Sequence, residues 1–130
     1  MDDGGTFYDT GIEGIVDQTL AWTRDEIRVC LLRKGYGFNP AHTTLADVVA
    51  NAAGFSDVLT GRRVQGRKMH ADDTTVLATA NAPVNQIVVY RAGRTPSTAR
   101  LVLHTYFPEI KPLVGQLVEV PWPEGVVATF

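Results

Sequence analysis

Three histidines are the residues best suited to metal binding or proton transfer, and they lie far apart in the sequence. His42, His70 and His104 have no cysteine or paired carboxylate at metal-ligand spacing. His70 with Asp72 and Asp73 would offer groups that suit a divalent ion, but a solvated turn explains the same residues. The simplest interpretation of His104 is a half-buried strand histidine. The sequence therefore predicts neither a metal site nor a cofactor.

The motifs of covalent and acid–base catalysis are also missing. Ser56 and Ser97 lie outside any Gly-x-Ser-x-Gly elbow. The acidic pairs at 2–3, 25–26 and 72–73 are adjacent, so in an extended chain their carboxylates face opposite ways and cannot share a proton. A small enzyme would need a His/Asp cluster that forms only on folding, and this alternative stays open.

Length and charge limit the remaining classes. The 130 residues fit one domain, 1–130, which begins with a flexible leader at 1–6. The net charge of -2 does not favour nucleic-acid binding. The basic segments also lack the interleaved aromatic residues that stack on bases. We therefore expect no nucleic-acid partner.

Neither membrane insertion nor secretion is expected. No apolar segment approaches the roughly 20 residues of a membrane-spanning helix, and the acidic N-terminus differs from a signal peptide. The single cysteine, Cys30, cannot form an internal disulfide and fits a small buried hydrophobic residue. These features are typical of a protein made in the cytosol.

The elements that would position a site are mostly strands, and the strongest signal is a hairpin. Residues 86–90 are apolar or β-branched on both alternating faces, as in a strand covered on both sides. Basic and turn-forming residues follow at 91–98, and a strand pattern resumes over 99–106. The stretch predicts a central hairpin with a long, exposed, basic loop.

Shorter patterns predict the other elements. Alternation over 26–32 places Ile27, Val29 and Leu31 on the buried face of a half-buried strand. Further strands are predicted at 58–69 (one bent strand or two), 75–80, 116–120 and 126–130, with a connector at 108–112 and a docked terminal Phe130.

Two short helices are predicted between these strands. The first has helically spaced apolar residues and a cap at Asp9 or Thr10; its apolar residues are Ile12, Ile15, Val16 and Leu20. The second covers 45–51 and opens with a capping box formed by Thr44 and Asp47. The whole pattern is typical of a mainly β protein, an antiparallel β-sandwich or barrel of about seven to eight strands with one or two short helices.

Six short blocks follow one another in the order and spacing of a known family. They are Phe7-Tyr8-Asp9-Thr10-Gly11-Ile12-Glu13-Gly14, Trp22-Thr23-Arg24-Asp25-Glu26-Ile27-Arg28-Val29, His42-Thr43-Thr44-Leu45-Ala46-Asp47, Leu59-Thr60-Gly61-Arg62-Arg63-Val64, Val88-Val89-Tyr90 and Ser97-Thr98-Ala99-Arg100-Leu101. On these blocks the chain resembles small virion structural proteins of tailed bacteriophages. It departs from the family in the prolines of 108–123 and in the longer basic loop at 91–100, whose binding role stays open.

The resemblance implies a non-enzymatic protein without catalytic residues or cofactor. It implies a capsid decoration, or cement, protein that is made in the host cytoplasm and then binds the major capsid protein at the virion surface. Self-association is expected, with a trimer favoured because three-fold positions offer three equivalent contact sets. The alternatives are a head–tail connector or tail-associated protein and a receptor-binding module.

Four aromatic residues are candidate anchors for such a partner. Phe7 and Tyr8 directly follow the flexible leader, and Tyr36 and Phe38 lie in a loop rich in glycine. The alternative interpretation is a small core cluster beneath that loop.

Overall fold

Strands account for most of the regular structure. The computed structural model describes residues 5–120 and 122–129. In this part of the chain the strands are β1 Thr6–Phe7, β2 Ile27–Arg33, β3 Ala52–Ser56, β4 Arg63–Gln65, β5 Lys68–His70, β6 Thr74–Ala78, β7 Val84–Arg91, β8 Arg100–Ile110, β9 Leu117–Val120 and β10 Val126–Thr129. One α-helix, α1, covers Asp9–Val16, and 3-10 turns cover Leu45–Asp47, Val49–Asn51, Pro96–Thr98 and Pro123–Gly125.

The strands form two antiparallel sheets. Seven of them make a curled sheet, a half-barrel, in the order β1-β8-β7-β2-β3-β6-β9, and three make a small sheet in the order β10-β5-β4. The predicted mainly β, antiparallel class is confirmed. The described chain has ten strands, more than the seven to eight expected, because several strands are only two or three residues long.

The predicted hairpin is the centre of the large sheet. Strands β7 and β8 pair along their length, with Val88 opposite His104. Strand β7 is buried on both faces, as its composition predicts. The connector expected at 108–112 is wrong in its first half, because β8 continues through Pro108 to Ile110. Proline is tolerated there because no strand among the described residues pairs with the outer side of β8 at this point.

Two hydrophobic cores lie on opposite faces of the large sheet. The inner core fills the concave face and includes Ile27, Val29, Leu31, Ile87, Val89 and Val127. The outer core lies beneath the loop segments after β2 and includes Tyr8, Cys30, Leu32, Tyr36, Val48 and Leu101. The half-buried alternation predicted for 26–32 is therefore wrong, because Cys30 and Leu32 are buried on the second face. The buried environment predicted for Cys30 is confirmed.

Helix α1 packs through its small residues rather than its apolar ones. Its N-cap is Tyr8, with no side-chain hydrogen bond, so the predicted cap at Asp9 or Thr10 is wrong. Gly11 and Gly14 are buried, whereas Ile12, one of the helically spaced apolar residues, is exposed. The glycines let the helix lie directly on strand β8.

The remaining predictions are met in part. The capping box of Thr44 and Asp47 is present, although the turns that follow are 3-10 rather than α-helical. The segment 58–69 contains two strands joined at Gly66, whose φ of +64° requires the left-handed region. Of the leader, Gly5 and Thr6 belong to the fold, while residues 1–4 lie outside the described residues, as does Phe130.

Candidate functional site

The four candidate anchors do not form an exposed aromatic surface. Tyr8 and Tyr36 are buried in the outer core, and Phe7 and Phe38 are half-buried. The Tyr8 and Phe38 rings meet edge to face with centroids 5.1 Å apart. Tyr8 and Tyr36 instead belong to a small core cluster beneath the loop, which was the alternative interpretation of these residues. A partner contact through this segment stays a prediction.

Hydrogen bonds link these aromatic residues to the first histidine. The hydroxyls of Tyr8 and Tyr36 are 2.9 Å apart, and the Tyr36 hydroxyl also lies 2.9 Å from Nδ1 of His42. Burial, followed by the hydrogen bond to Tyr36, raises the pKa of Tyr8 well above its usual range. Both hydroxyls therefore stay protonated and act as structural hydrogen-bonding groups.

His104 lies in the same cluster and is fully buried, so the half-buried environment expected from the sequence is wrong. Its ring stacks on Phe38 with centroids 4.7 Å apart, and its Nε2 lies 2.7 Å from Oε1 of Gln86. The Gln86 amide NH₂ donates to backbone carbonyls, including that of Tyr36, which leaves Oε1 as the acceptor. Nε2 of His104 must then carry the proton, and burial lowers the pKa of the ring to about 4.

The third histidine is on the other sheet. His70 ends strand β5, and its Nδ1 is buried without a hydrogen-bond partner among the described residues. Within the described ranges, no group of three His, Cys, Asp or Glu side chains converges as metal ligands would. The structure thus separates His70 from His42 and His104, which both contact Tyr36.

An exposed apolar row is the feature of the large sheet that the sequence analysis missed. One row of register-paired side chains crosses six strands: His104, Val88, Cys30, Phe55, Leu77 and Leu117. The first three are buried beneath the outer core. The last three, which we call the exposed row, are 36%, 48% and 65% exposed for Phe55, Leu77 and Leu117. The outer core therefore covers only part of this face.

The exposed row ends at a sheet edge. Strand β9 pairs with β6 on one side and is the last strand of the seven-stranded sheet. On the same face, the next register pair is Thr75 and Glu119, so one carboxylate accompanies the three apolar side chains. Apolar side chains beside an open strand edge are typical of a surface that another protein covers.

A groove lies along the second half of strand β8. It has a volume of about 640 Å³, and its lining includes Ile87, Phe107, Val120, Trp122, Pro123 and Val126. Among the described residues, β1 pairs with β8 only at Thr6 and Phe7, so β8 is open on this side beyond His104. The Trp122 indole is held by a 3.2 Å hydrogen bond to Oγ1 of Thr74. We call this feature the end groove.

Polar residues of the six sequence blocks fasten loops and helix α1 to the sheets. Nε of Arg100 donates to Oγ1 of Thr10 over 2.8 Å, and its Nη1 donates to Oγ1 of Thr19. The guanidinium of Arg62 donates to the backbone carbonyls of Trp22 and Asp25. These contacts give Thr10, Arg62 and Arg100 structural roles, which the sequence pattern could not distinguish from binding roles.

No protein-family model, curated protein or solved structure matches this chain. In the described part of the chain, no helix is both long enough and apolar enough to cross a membrane.

Proposed function

We propose that this chain is a non-enzymatic structural protein of a tailed-bacteriophage virion. In this proposal it is a capsid decoration protein that binds the major capsid protein and stabilises the shell. It is made in the host cytoplasm and ends at the capsid surface, as a trimer. The resemblance of the six sequence blocks to small virion structural proteins supports the phage origin.

The exposed row is the observation that carries the binding role. Phe55, Leu77 and Leu117 lie side by side and partly in water. Each therefore lacks part of the free energy, about 1.5–3 kcal/mol, that full burial of such a side chain contributes to stability. The row continues a line of side chains that the outer core buries elsewhere on the same face. A partner that covers the row would extend this burial to the edge of the sheet.

The surroundings of the row suit a protein partner. In the part of the chain that the structure describes, strand β9 is paired on one side only, and the row carries no charge of its own. Charge depletion at the centre with a polar rim is typical of protein–protein interfaces. Thr75 and Glu119, the neighbouring pair on the same face, would form part of such a rim.

The copy number of the protein in purified virions tests the proposal. We expect about one copy per major capsid subunit, since a decoration protein repeats with the symmetry of the shell. Quantitative mass spectrometry against the major capsid protein measures this ratio. A few copies per virion would contradict decoration and favour the head–tail connector or tail alternative. Absence from virions would contradict the virion role altogether.

A further inference from the structure

The connection between β8 and β9 presents apolar side chains on a fixed backbone. This segment, residues 111–116, is here called the β8–β9 loop. Leu113 and Val114 at its tip are 66% and 60% exposed. The N–H of Val114 donates to Oδ1 of Asn81 over 2.7 Å, and the N–H of Leu113 donates to Oε1 of Gln116 over 3.0 Å. The loop is therefore ordered by polar contacts while its apolar side chains face solvent.

The end groove is complementary to this loop in chemistry and size. It is lined mainly by apolar side chains and its volume of about 640 Å³ is within the range of protein ligand pockets. Neither Leu113 nor Val114 lines the groove of its own chain, so both surfaces are open on one molecule.

Charges around the two surfaces also match. Lys111 lies exposed at the start of the β8–β9 loop. Glu119 lines the end groove, and the exposed Glu124 follows the lining residue Pro123. Lys111 also borders the groove of its own chain, because it follows the lining residue Ile110, so the rim carries two acidic residues and one basic residue. The Lys111 of another copy would balance the remaining acidic charge and help to fix the orientation of a complex.

We propose that the end groove receives the β8–β9 loop of a second copy of this chain. Leu113 and Val114 enter the groove against Phe107 and Trp122, and Lys111 faces the acidic rim. The inference deepens the proposed function, because it rests on the self-association proposed there and names the contact. It does not depend on which surface meets the capsid.

In this proposal each loop enters the groove of the next copy rather than exchanging with it reciprocally, so the contact is heterologous. Each copy then offers one loop and one groove, and a ring forms if the rotation between neighbours closes. Three copies give the trimer of the proposed function. Glu119 borders both the groove and the exposed row, but Phe55, Leu77 and Leu117 belong to neither the loop nor the groove and stay available to another partner.

Sedimentation and light scattering on the purified full chain give the first test. We expect the wild type to have about three times the 14.2 kDa protomer mass. Leu113→Glu places a charge at the centre of the contact, and its mass should fall to that of one protomer. Leu113 is exposed, so the variant should keep its fold, which circular dichroism checks. Val16→Glu, at an exposed position on helix α1, is the matched control and should remain a trimer.

Cross-linking tests the pairing of loop with groove directly. Purified L113C and P123C are mixed and treated with a short bismaleimide. We expect a heterodimer at several-fold the yield obtained from L113C mixed with V64C, a control on exposed strand β4. The native Cys30 is buried, and burial raises the pKa of its thiol to about 12, so it should not react.

The results of these experiments distinguish a wrong loop-and-groove contact from a wrong proposed function. If the wild type and Leu113→Glu are equally oligomeric, the loop-and-groove contact is wrong but self-association remains. The same conclusion follows if the cross-link to P123C is no stronger than the cross-link to V64C. A wild type that is monomeric at every concentration would overturn both. The capsid role is judged independently by the copy number in virions.

Discussion

His104 combines an ionisable ring with nearly complete burial. The ring stacks on that of Phe38 and meets that of Tyr106 edge to face, with centroids 4.7 Å and 4.6 Å away. Its single polar contact among the described hydrogen bonds is the one to Gln86, whose Oε1 accepts the hydrogen that the neutral ring carries on Nε2. The site therefore favours the neutral imidazole, which explains the lowered pKa of about 4.

This burial makes the stability depend on pH. The folded-state pKa of His104 lies below the unfolded value of 6.5, so unfolding takes up a proton between these values. The contribution of His104 to the free energy of unfolding should have its full value above about pH 6.5. It should decrease as the pH drops towards about 4, by at most about 1.4 kcal/mol per pH unit. Urea unfolding at a series of pH values measures this slope.

The control isolates the ring of His104 from other titrating groups. His104→Gln lowers the stability at neutral pH but removes the titration, so its slope between these pH values should be smaller than that of the wild type. His42→Gln, at a half-buried position outside the sheet, is the histidine variant with which the slope of His104→Gln is compared. Parallel slopes for the wild type and His104→Gln would refute the assignment.

At the scale of elements, helix α1 depends on the absence of side chains at its contact with β8. A Cβ placed on Gly11 would lie 2.2 Å from the carbonyl oxygen of Val102. Backbone cannot give way as a flexible side chain can, so any larger residue would push the helix away from the strand. The hydrogen bonds of Arg100 to Thr10 and Thr19 would be disturbed with it.

Gly11→Ala should therefore destabilise the protein by about 1–3 kcal/mol. Helix propensity alone predicts the opposite, since alanine in a helix interior is favoured over glycine by about 1 kcal/mol. The free energy of unfolding in urea decides between the two signs. Gly37→Ala is the matched control, because nothing lies within 4 Å of its added Cβ, and it should change the stability by less than about 1 kcal/mol. A stabilised Gly11→Ala variant would show that the helix is free to shift.

The same contact shows which elements the sequence could predict. The hairpin of β7 and β8 was predictable because a continuous run of β-branched residues has one simple explanation, a strand covered on both faces. Helix α1 was located but its buried face was not, since apolar spacing points to Ile12 and Val16 while the packing depends on Gly11. Strand β3 was missed because its alanines and glycine, Ala52–Ser56, carry little strand propensity.

At the scale of the whole molecule, the candidate surfaces arise from strand order, which the sequence does not contain. Phe55, Leu77 and Leu117 are 22 and 40 residues apart along the chain and meet only through the register of three strands. The aromatic residues near Tyr8 and Tyr36 were recognisable as a group, but composition could not tell a buried cluster from an exposed anchor. Burial in the outer core distinguishes the two.

The exposed row and the end groove meet at Glu119 but share no apolar residue, so apolar-to-charged variants in each should fail in different assays. Leu77→Glu and Leu117→Glu place a charge where a partner would bury an apolar side chain, at positions exposed enough to keep the fold. We expect each to bind phage capsids that lack the protein roughly 10-fold or more weakly than the wild type, the scale of one lost hot-spot residue. Cosedimentation with such capsids measures the binding.

The self-association of these row variants shows whether the exposed row takes part in the contact between copies. Because the row lies outside the loop-and-groove contact, Leu77→Glu and Leu117→Glu should keep the wild-type mass in solution while losing the capsid. Val16→Glu should keep both properties, since Val16 is 76% exposed and belongs to neither surface. If the row variants bind capsids as the wild type does, the exposed row is not the capsid interface. If they lose mass as well, the row belongs to the contact between copies, and the two surfaces are one.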